Sequence, residues 1–311
     1  MNRLAMAAIA AACGAASACL YLALMLASPG AMILVYLTQL PLFLAGLWFG
    51  AVAAAIAGVS ATVVLLAASD VLAAAIFVAL NALPVVVLVR QALLARRDAD
   101  GTMRWYPPGH LTVWVAALGI LGIAAALLLL GGPDGLQTTL REIIARALDN
   151  LTERSLPDRD GVAQTVASVI PGIAAASWMV MAVINGALAQ GVLARFGVAW
   201  RPSPDLAALG LPRWLTAALG VAALATLLGG TWRFLGINLI IALSVPFCLG
   251  GLAVLHAAVR RLPHPGIALV AFYTLASMFG WPLLAAMLLG LVEAWLGLRR
   301  RLAPQGVHID G

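Results

Sequence analysis

The sequence predicts an all-α, polytopic bundle of transmembrane helices, with about 8–10 spans of the length that a bilayer requires. The first observation is composition: 64% of the 311 residues are hydrophobic and only 10% are charged, whereas soluble domains are about 25% charged. The mean hydropathy of +1.05 is too high for a soluble core of this length. The second observation is that the apolar residues occur in long uninterrupted runs, so lipid is the expected solvent.

Glycine, proline and charged residues separate ten apolar runs, which we interpret as candidate spans. The first follows Arg3 in the manner of a signal peptide, but it is long enough to be a retained span. The last two are short and are expected to be tilted, re-entrant or partly interfacial. Merging one hairpin at each end gives an eight-span arrangement. The approximate ranges are 5–27, 32–49, 51–68, 71–93, 111–131, 164–194, 213–229, 234–258, 265–279 and 282–298.

The segment 132–162 is the longest one outside these runs, and it divides the chain into an N-terminal half, 1–131, and a C-terminal half, 163–311. Its apolar residues fall on one helical face over 136–151, and the opposite face carries acidic and basic residues. The pattern predicts an amphipathic helix lying outside the membrane. The apolar positions are Leu136, Leu140, Ile143, Ile144, Ala147, Leu148 and Leu151.

All 18 basic residues are arginines, and they cluster at the ends of the apolar runs. With the N-terminus inside, 13 of the 18 fall in segments that the ten-span arrangement places inside. This asymmetry is typical of the positive-inside rule. We therefore expect a multi-pass protein of the bacterial inner membrane with both termini cytoplasmic. Its basic residues are expected to lie at the surface of the lipid bilayer and not to bind nucleic acid.

Polar residues at membrane depth are costly, so they are the candidate ligand-binding residues. They are Asn81, Asn185, Asn238 and Glu293. Pro84 follows Asn81 and removes a backbone hydrogen bond, which frees a carbonyl group beside the amide. For the asparagines the alternative is hydrogen bonding between packed helices, and for Glu293 it is an ion pair near the interface.

The first span carries small residues at four-residue spacing, namely Ala8, Ala12 and Ala16. Such a face lets another helix approach closely, so it is a candidate contact surface for a partner subunit, although an alanine-rich composition also explains it. The histidines and cysteines lack the spacing of metal ligands, and no nucleotide-binding motif occurs. We therefore expect no catalytic residue, no metal site and no cofactor.

Several short motifs resemble a known family. The segment LPLFLAGLWFG, Leu40–Gly50, is similar to a stretch in the substrate-binding S-components of ECF vitamin transporters. Other segments resemble the YybS-like family of uncharacterised bacterial polytopic membrane proteins, which is related to those S-components; they are Ala82–Pro84, Leu211–Leu215, Asn238–Ile240 and Leu289–Trp295. The resemblance implies an S-component-like N-terminal region with further helices appended, an acidic residue at Glu293, and a small-residue face that docks an energising subunit. It implies no established activity.

Three function hypotheses follow. The first is a non-enzymatic integral membrane protein, an S-component-like component that binds a small solute or is associated with transport. The alternative is a membrane scaffold or assembly protein without a ligand. The third, an intramembrane enzyme acting on lipid, is disfavoured because catalysis usually needs clustered acids, bases or metals. A solute-binding protein requires the candidate polar residues to line a cavity, whereas in a scaffold they pack against neighbouring helices.

The arginine asymmetry predicts that both termini are cytoplasmic. Reporter domains fused before Arg3 and after Arg301 should both give a cytoplasmic signal in intact cells, with a fusion in the 132–162 segment as the oppositely located control. A periplasmic signal from either terminal fusion would contradict the predicted orientation.

Overall fold

The computed structural model describes residues 2–26, 28–151, 158–204 and 209–298, and these are almost entirely helical. The chain divides into two compact units built from alternating segments. Unit 1 comprises Met1–Val115 and Met179–Pro204, and unit 2 comprises Ala116–Trp178 and Asp205–Gly311. The predicted arginine cluster Arg299–Arg301 and residues 152–157 of the predicted external segment lie outside the described residues.

The helices follow the apolar runs. In the first part of the chain they are α1 Arg3–Leu22 with a 3₁₀ turn Ala23–Leu26, α2 Pro29–Tyr36, α3 Gln39–Phe49, α4 Ala51–Ala68, α5 Val71–Phe77, a π-helical turn Val78–Ala82 and α6 Leu83–Ala92. After the strands β1 Ala95–Arg97 and β2 Met103–Trp105 come α7 Pro108–Leu129, α8 Gly132–Leu151, α9 Arg159–Arg195, α10 Arg213–Ala225, α11 Gly230–Val259, α12 Pro265–Phe279 and α13 Trp281–Leu296.

The predicted all-α, multi-pass bundle is confirmed. Across the described ranges, seven helical stretches are long and apolar enough to cross a membrane, or eight if α12 and α13 form one span. Those two helices meet at a bend of 115°, which makes them a broken span or a re-entrant loop. Predicted span 213–229 becomes the 13-residue helix α10, which at 1.5 Å per residue is about 20 Å long and too short to cross alone.

Unit 1 is held together by a close approach of α1 to α4. Gly14 is buried on α1, and a Cβ atom at this position would overlap the carbonyl oxygen of Ala57. Beside this contact, the hydroxyl of Ser60 donates a hydrogen bond to the carbonyl oxygen of Ala11 at 2.9 Å. The two backbones can come this close because the residues between them are small.

Unit 2 contains a similar approach between α11 and α13. A Cβ atom on Gly251 would overlap the carbonyl oxygen of Ala286, and one on Gly290 would overlap that of Phe247. The helices therefore touch backbone to backbone at two successive points. A buried apolar cluster lies beside this crossing and consists of Leu215, Leu219, Ala222, Leu243 and Phe247.

Two polar elements lie between the apolar helices. The antiparallel hairpin β1–β2 was not predicted; its turn is held by Asp98, whose carboxylate pairs with Arg96 at 3.3 Å and with Arg104 at 2.9 Å. The amphipathic helix predicted over 136–151 is present as α8, which begins four residues earlier, at Gly132. Leu136 on its apolar face is buried. The location of α8 on the outer side of the membrane stays a prediction.

Replacing Gly14 by alanine should destabilise the protein, because the new Cβ atom meets backbone that cannot move aside. We expect a loss of about 1–3 kcal/mol in the free energy of unfolding, measured by thermal or denaturant unfolding in detergent micelles. Gly191→Ala is the matched control, since Gly191 lies exposed on α9 with open space around it; it should be neutral or stabilise by up to about 1 kcal/mol. Equal stability of the two variants would contradict the close α1–α4 approach.

Candidate functional site

The break between α2 and α3 lies inside a membrane-spanning stretch, Gly30–Phe49. At this break, two backbone carbonyl groups accept hydrogen bonds from side chains of other helices. The side-chain amide of Asn185 on α9 donates to the carbonyl oxygen of Tyr36 at 2.6 Å, and the hydroxyl of Ser17 on α1 donates to that of Thr38 at 2.6 Å. Because lipid offers no hydrogen bonds, these two contacts stabilise the interrupted helix.

A second interruption is the π-helical turn Val78–Ala82, which contains Asn81 and precedes Pro84. Proline lacks the N–H group that would bond four residues back, to the carbonyl oxygen of Leu80. The side-chain amide of Gln39, at the start of α3, donates to that oxygen at 3.1 Å. The predicted helix disturbance is therefore present, and Gln39 replaces the bond that Pro84 removes. Asn81 itself is buried in the turn.

Three buried side-chain oxygens surround these interruptions and have no hydrogen-bond partner among the described residues. They are Thr38 Oγ1, Gln39 Oε1 and Asn185 Oδ1, on residues that are at most 1% exposed. An unsatisfied buried polar group costs about 1–3 kcal/mol. Such a concentration at one helix break is typical of a site that receives a hydrogen-bond donor or a cation.

Sequence analysis missed Thr38 and Gln39, because both lie inside the predicted span 32–49. A signal was present: the pair Thr38-Gln39 is the only polar interruption between Tyr36 and Gly50, and Pro41 follows it two residues later. The structure places Asn185, one of the predicted residues, together with this missed pair.

Asn238 on α11 has a different role, because its side chain inserts into helix α9. Its amide oxygen accepts from the backbone N–H of Gly172 at 2.6 Å, and its amide nitrogen donates to the carbonyl oxygens of Ser168 at 2.9 Å and Phe234 at 2.8 Å. Gly172 and Ser168 are the two ends of one helical i to i−4 bond, directly after Pro171. Asn238 therefore bridges the turn that the proline disturbs.

Glu293 lines a cavity of about 440 Å³ in unit 2. Glu293 lies on α13 and is buried, and Arg213, an exposed residue at the start of α10, lines the same cavity. The remaining wall is apolar side chains and bare backbone. Its residues are Gly210, Leu211, Gly250, Gly290, Ala294, Trp295, Leu296 and Gly297. The cavity wall thus contains one acidic and one basic residue.

The small residues Ala8, Ala12 and Ala16 lie on the exposed face of α1. The packing of α1 within unit 1 uses the opposite face, which includes the buried Gly14 and Ser17. The predicted contact face therefore remains exposed on unit 1. Its use by a partner subunit stays a prediction.

Arg201, in the segment after α9, was counted among the cytoplasmic arginines but is only 5% exposed. Its guanidinium group donates to the carbonyl oxygens of Ala92 at 3.0 Å and Tyr106 at 2.9 Å. Burial lowers the pKa of Arg201 from its ordinary value, yet arginine remains protonated in proteins. Arg201 thus connects this segment to both ends of the β1–β2 hairpin.

Among the residues that the structure describes, no group of three or more histidine, cysteine, aspartate or glutamate side chains could hold a metal ion. The family described as "Predicted membrane protein (DUF2232)" matches residues 15–293, which is most of the chain. No curated protein and no solved structure matches the sequence.

Replacing Asn238 by leucine should destabilise unit 2 by about 2–4 kcal/mol, because the Gly172 N–H and the Ser168 carbonyl group lose their partner in a buried setting. The measurement is the unfolding free energy in detergent micelles. Gln164→Leu is the control, since Gln164 is an exposed amide on the same helix α9, and we expect a change within about 0.5 kcal/mol. If Asn238→Leu were as stable as the wild type, the turn of α9 between Ser168 and Gly172 would not depend on hydrogen bonds from Asn238.

Proposed function

The chain belongs to the DUF2232 family of predicted membrane proteins, and on that premise we propose that it is a non-enzymatic component that binds a small polar solute at Glu293. The observation that carries this proposal is the cavity in unit 2, where a buried carboxylate and an arginine line the same space. Its volume of about 440 Å³ falls within the range of about 300–1,000 Å³ that is usual for small-molecule sites.

The lining of the cavity favours a solute that carries both a donor and an acceptor group. Glu293 would accept hydrogen bonds from an amine, amide or hydroxyl group, and Arg213 would bind a carboxylate or another anionic group. Carboxylates at membrane depth are rare and usually functional. If α13 had only a structural role, an apolar residue at position 293 would avoid the free-energy cost of placing a carboxylate at membrane depth.

Transport would require a partner, because the sequence contains no nucleotide-binding motif. The exposed face formed by Ala8, Ala12 and Ala16 is the surface we propose for such a partner. In the S-components of ECF transporters a small-residue face docks an energising subunit. A relation of this chain to them and to the YybS-like proteins would support the same use of the Ala8, Ala12 and Ala16 face. The proposed location is the bacterial inner membrane, with both termini in the cytoplasm.

A membrane scaffold is the second candidate. Asn238 favours it, because that predicted site residue uses its amide for backbone groups of two helices. In a scaffold Glu293 would serve contacts within the protein only, so the dependence of a bound solute on Glu293 distinguishes the two candidates.

The solute-binding proposal predicts that a small molecule co-purifies with the protein and depends on Glu293. Mass spectrometry of protein purified in detergent should detect it in the wild type, and Glu293→Gln should reduce its occupancy about tenfold or more. The same loss is expected for Arg213→Gln if the solute carries an anionic group.

The matched control is Glu142→Gln, because Glu142 lies exposed on α8 and pairs with Arg146 at 3.3 Å. This variant should retain wild-type occupancy. Equal occupancy in Glu293→Gln, or a wild type without any specific small molecule, would contradict the proposal and favour a scaffold.

A further inference from the structure

We propose that the break between α2 and α3 in unit 1 is a binding site for a small monovalent cation, ligated by Thr38 Oγ1, Gln39 Oε1 and Asn185 Oδ1. The proposal uses none of the residues of the Glu293 cavity. It rests on three buried oxygens that have no hydrogen-bond partner in the described chain, on residues at most 1% exposed.

The contacts and chain positions of their own residues bring the three oxygens toward the break. Thr38 and Gln39 are consecutive residues at the break, and the Asn185 amide nitrogen is bonded to Tyr36 on its other side. The oxygen and nitrogen of one amide share a carbon atom, so anchoring the nitrogen also fixes the oxygen beside the break. The Gln39 amide is fixed by its bond to the carbonyl oxygen of Leu80, so it lies between the break and the π-helical turn.

The hydrogen-bond inventory favours a cation or a donor. The amide nitrogen of Asn185 donates to the carbonyl oxygens of Tyr36 and Met181, that of Gln39 donates to the carbonyl oxygen of Leu80, and the hydroxyl of Ser17 donates to that of Thr38. The two amide oxygens accept no hydrogen bond from the described residues, and the Thr38 hydroxyl can turn its oxygen toward a cation.

The charge inventory limits the ion to a single positive charge. Divalent ions are usually held by carboxylates, and the three acidic side chains in the described part of unit 1 are engaged elsewhere. Asp70 caps α5 through the Ala73 N–H, and Asp98 and Asp100 belong to the β1–β2 hairpin. Neutral oxygens at a discontinuous membrane helix are the arrangement that holds Na⁺ in many transporters.

Sodium binding to the purified full-length chain tests the proposal. Equilibrium binding of radioactive Na⁺, and the thermal midpoint in NaCl against choline chloride at equal ionic strength, should both show a saturable effect of sodium on the wild type. Thr38→Val replaces Oγ1, which has no hydrogen-bond partner among the described residues, by a methyl group of similar size. We expect it to weaken the apparent sodium affinity about tenfold or more, with the midpoint in choline chloride unchanged or higher.

Thr62→Val is the matched control, because the hydroxyl of Thr62 is satisfied within its own helix by the Gly58 carbonyl oxygen at 2.8 Å. It should retain wild-type sodium affinity. A wild type that binds no sodium and melts at the same temperature in both salts would overturn the proposal, and the three oxygens would then bind water alone. A sodium effect of equal size in wild type and Thr38→Val would also overturn it, because the ion would bind elsewhere.

Discussion

Lipid supplies no hydrogen bonds, so every peptide group freed by an interrupted transmembrane helix must find its partner within the protein. This constraint explains where the buried amides lie. Asn185 satisfies the end of α2, Gln39 satisfies the carbonyl group that Pro84 leaves behind, and Asn238 bridges the turn after Pro171. At these three interruptions an amide side chain therefore supplies hydrogen bonds that the interrupted helix lacks.

The buried amides differ in how many of their polar atoms are hydrogen-bonded to backbone groups. This difference distinguishes an amide that supports packing from one that can bind a ligand. Both ends of the Asn238 amide are bonded to backbone groups. Asn185 and Gln39 use only their nitrogen atoms, and their oxygens have no partner among the described residues. The same residue type thus serves as structural support in unit 2, while in unit 1 it leaves polar atoms available for a ligand.

The sequence predicted the architecture well because length and hydropathy determine which segments can cross a bilayer. Predicted spans 51–68 and 265–279 coincide with α4 and α12. The disturbance near Asn81 followed from local chemistry, because Pro84 lies three residues after it. The partners of the amides could not be predicted, because they join residues far apart in the chain, such as Asn185 and Tyr36. Thr38 and Gln39 were overlooked because an average over an apolar run conceals two polar residues, and Arg201 because charge counting assumes that every arginine is solvated.

The bridge made by Asn238 also limits how unit 2 can move. Sliding α11 along α9 by one turn, or rotating it about its axis, would break the bonds to Gly172 and Ser168 together, so the joined parts of these helices behave as one rigid body. Relative displacement is easier at a backbone break formed by glycine. Gly280, with a φ of 68°, joins α12 to α13 at their bend, and a few degrees of torsion there would swing α12 while the α11–α13 crossing stays intact. Gly280 therefore gives the α12–α13 hairpin a degree of freedom that the Asn238 bridge denies to α9 and α11.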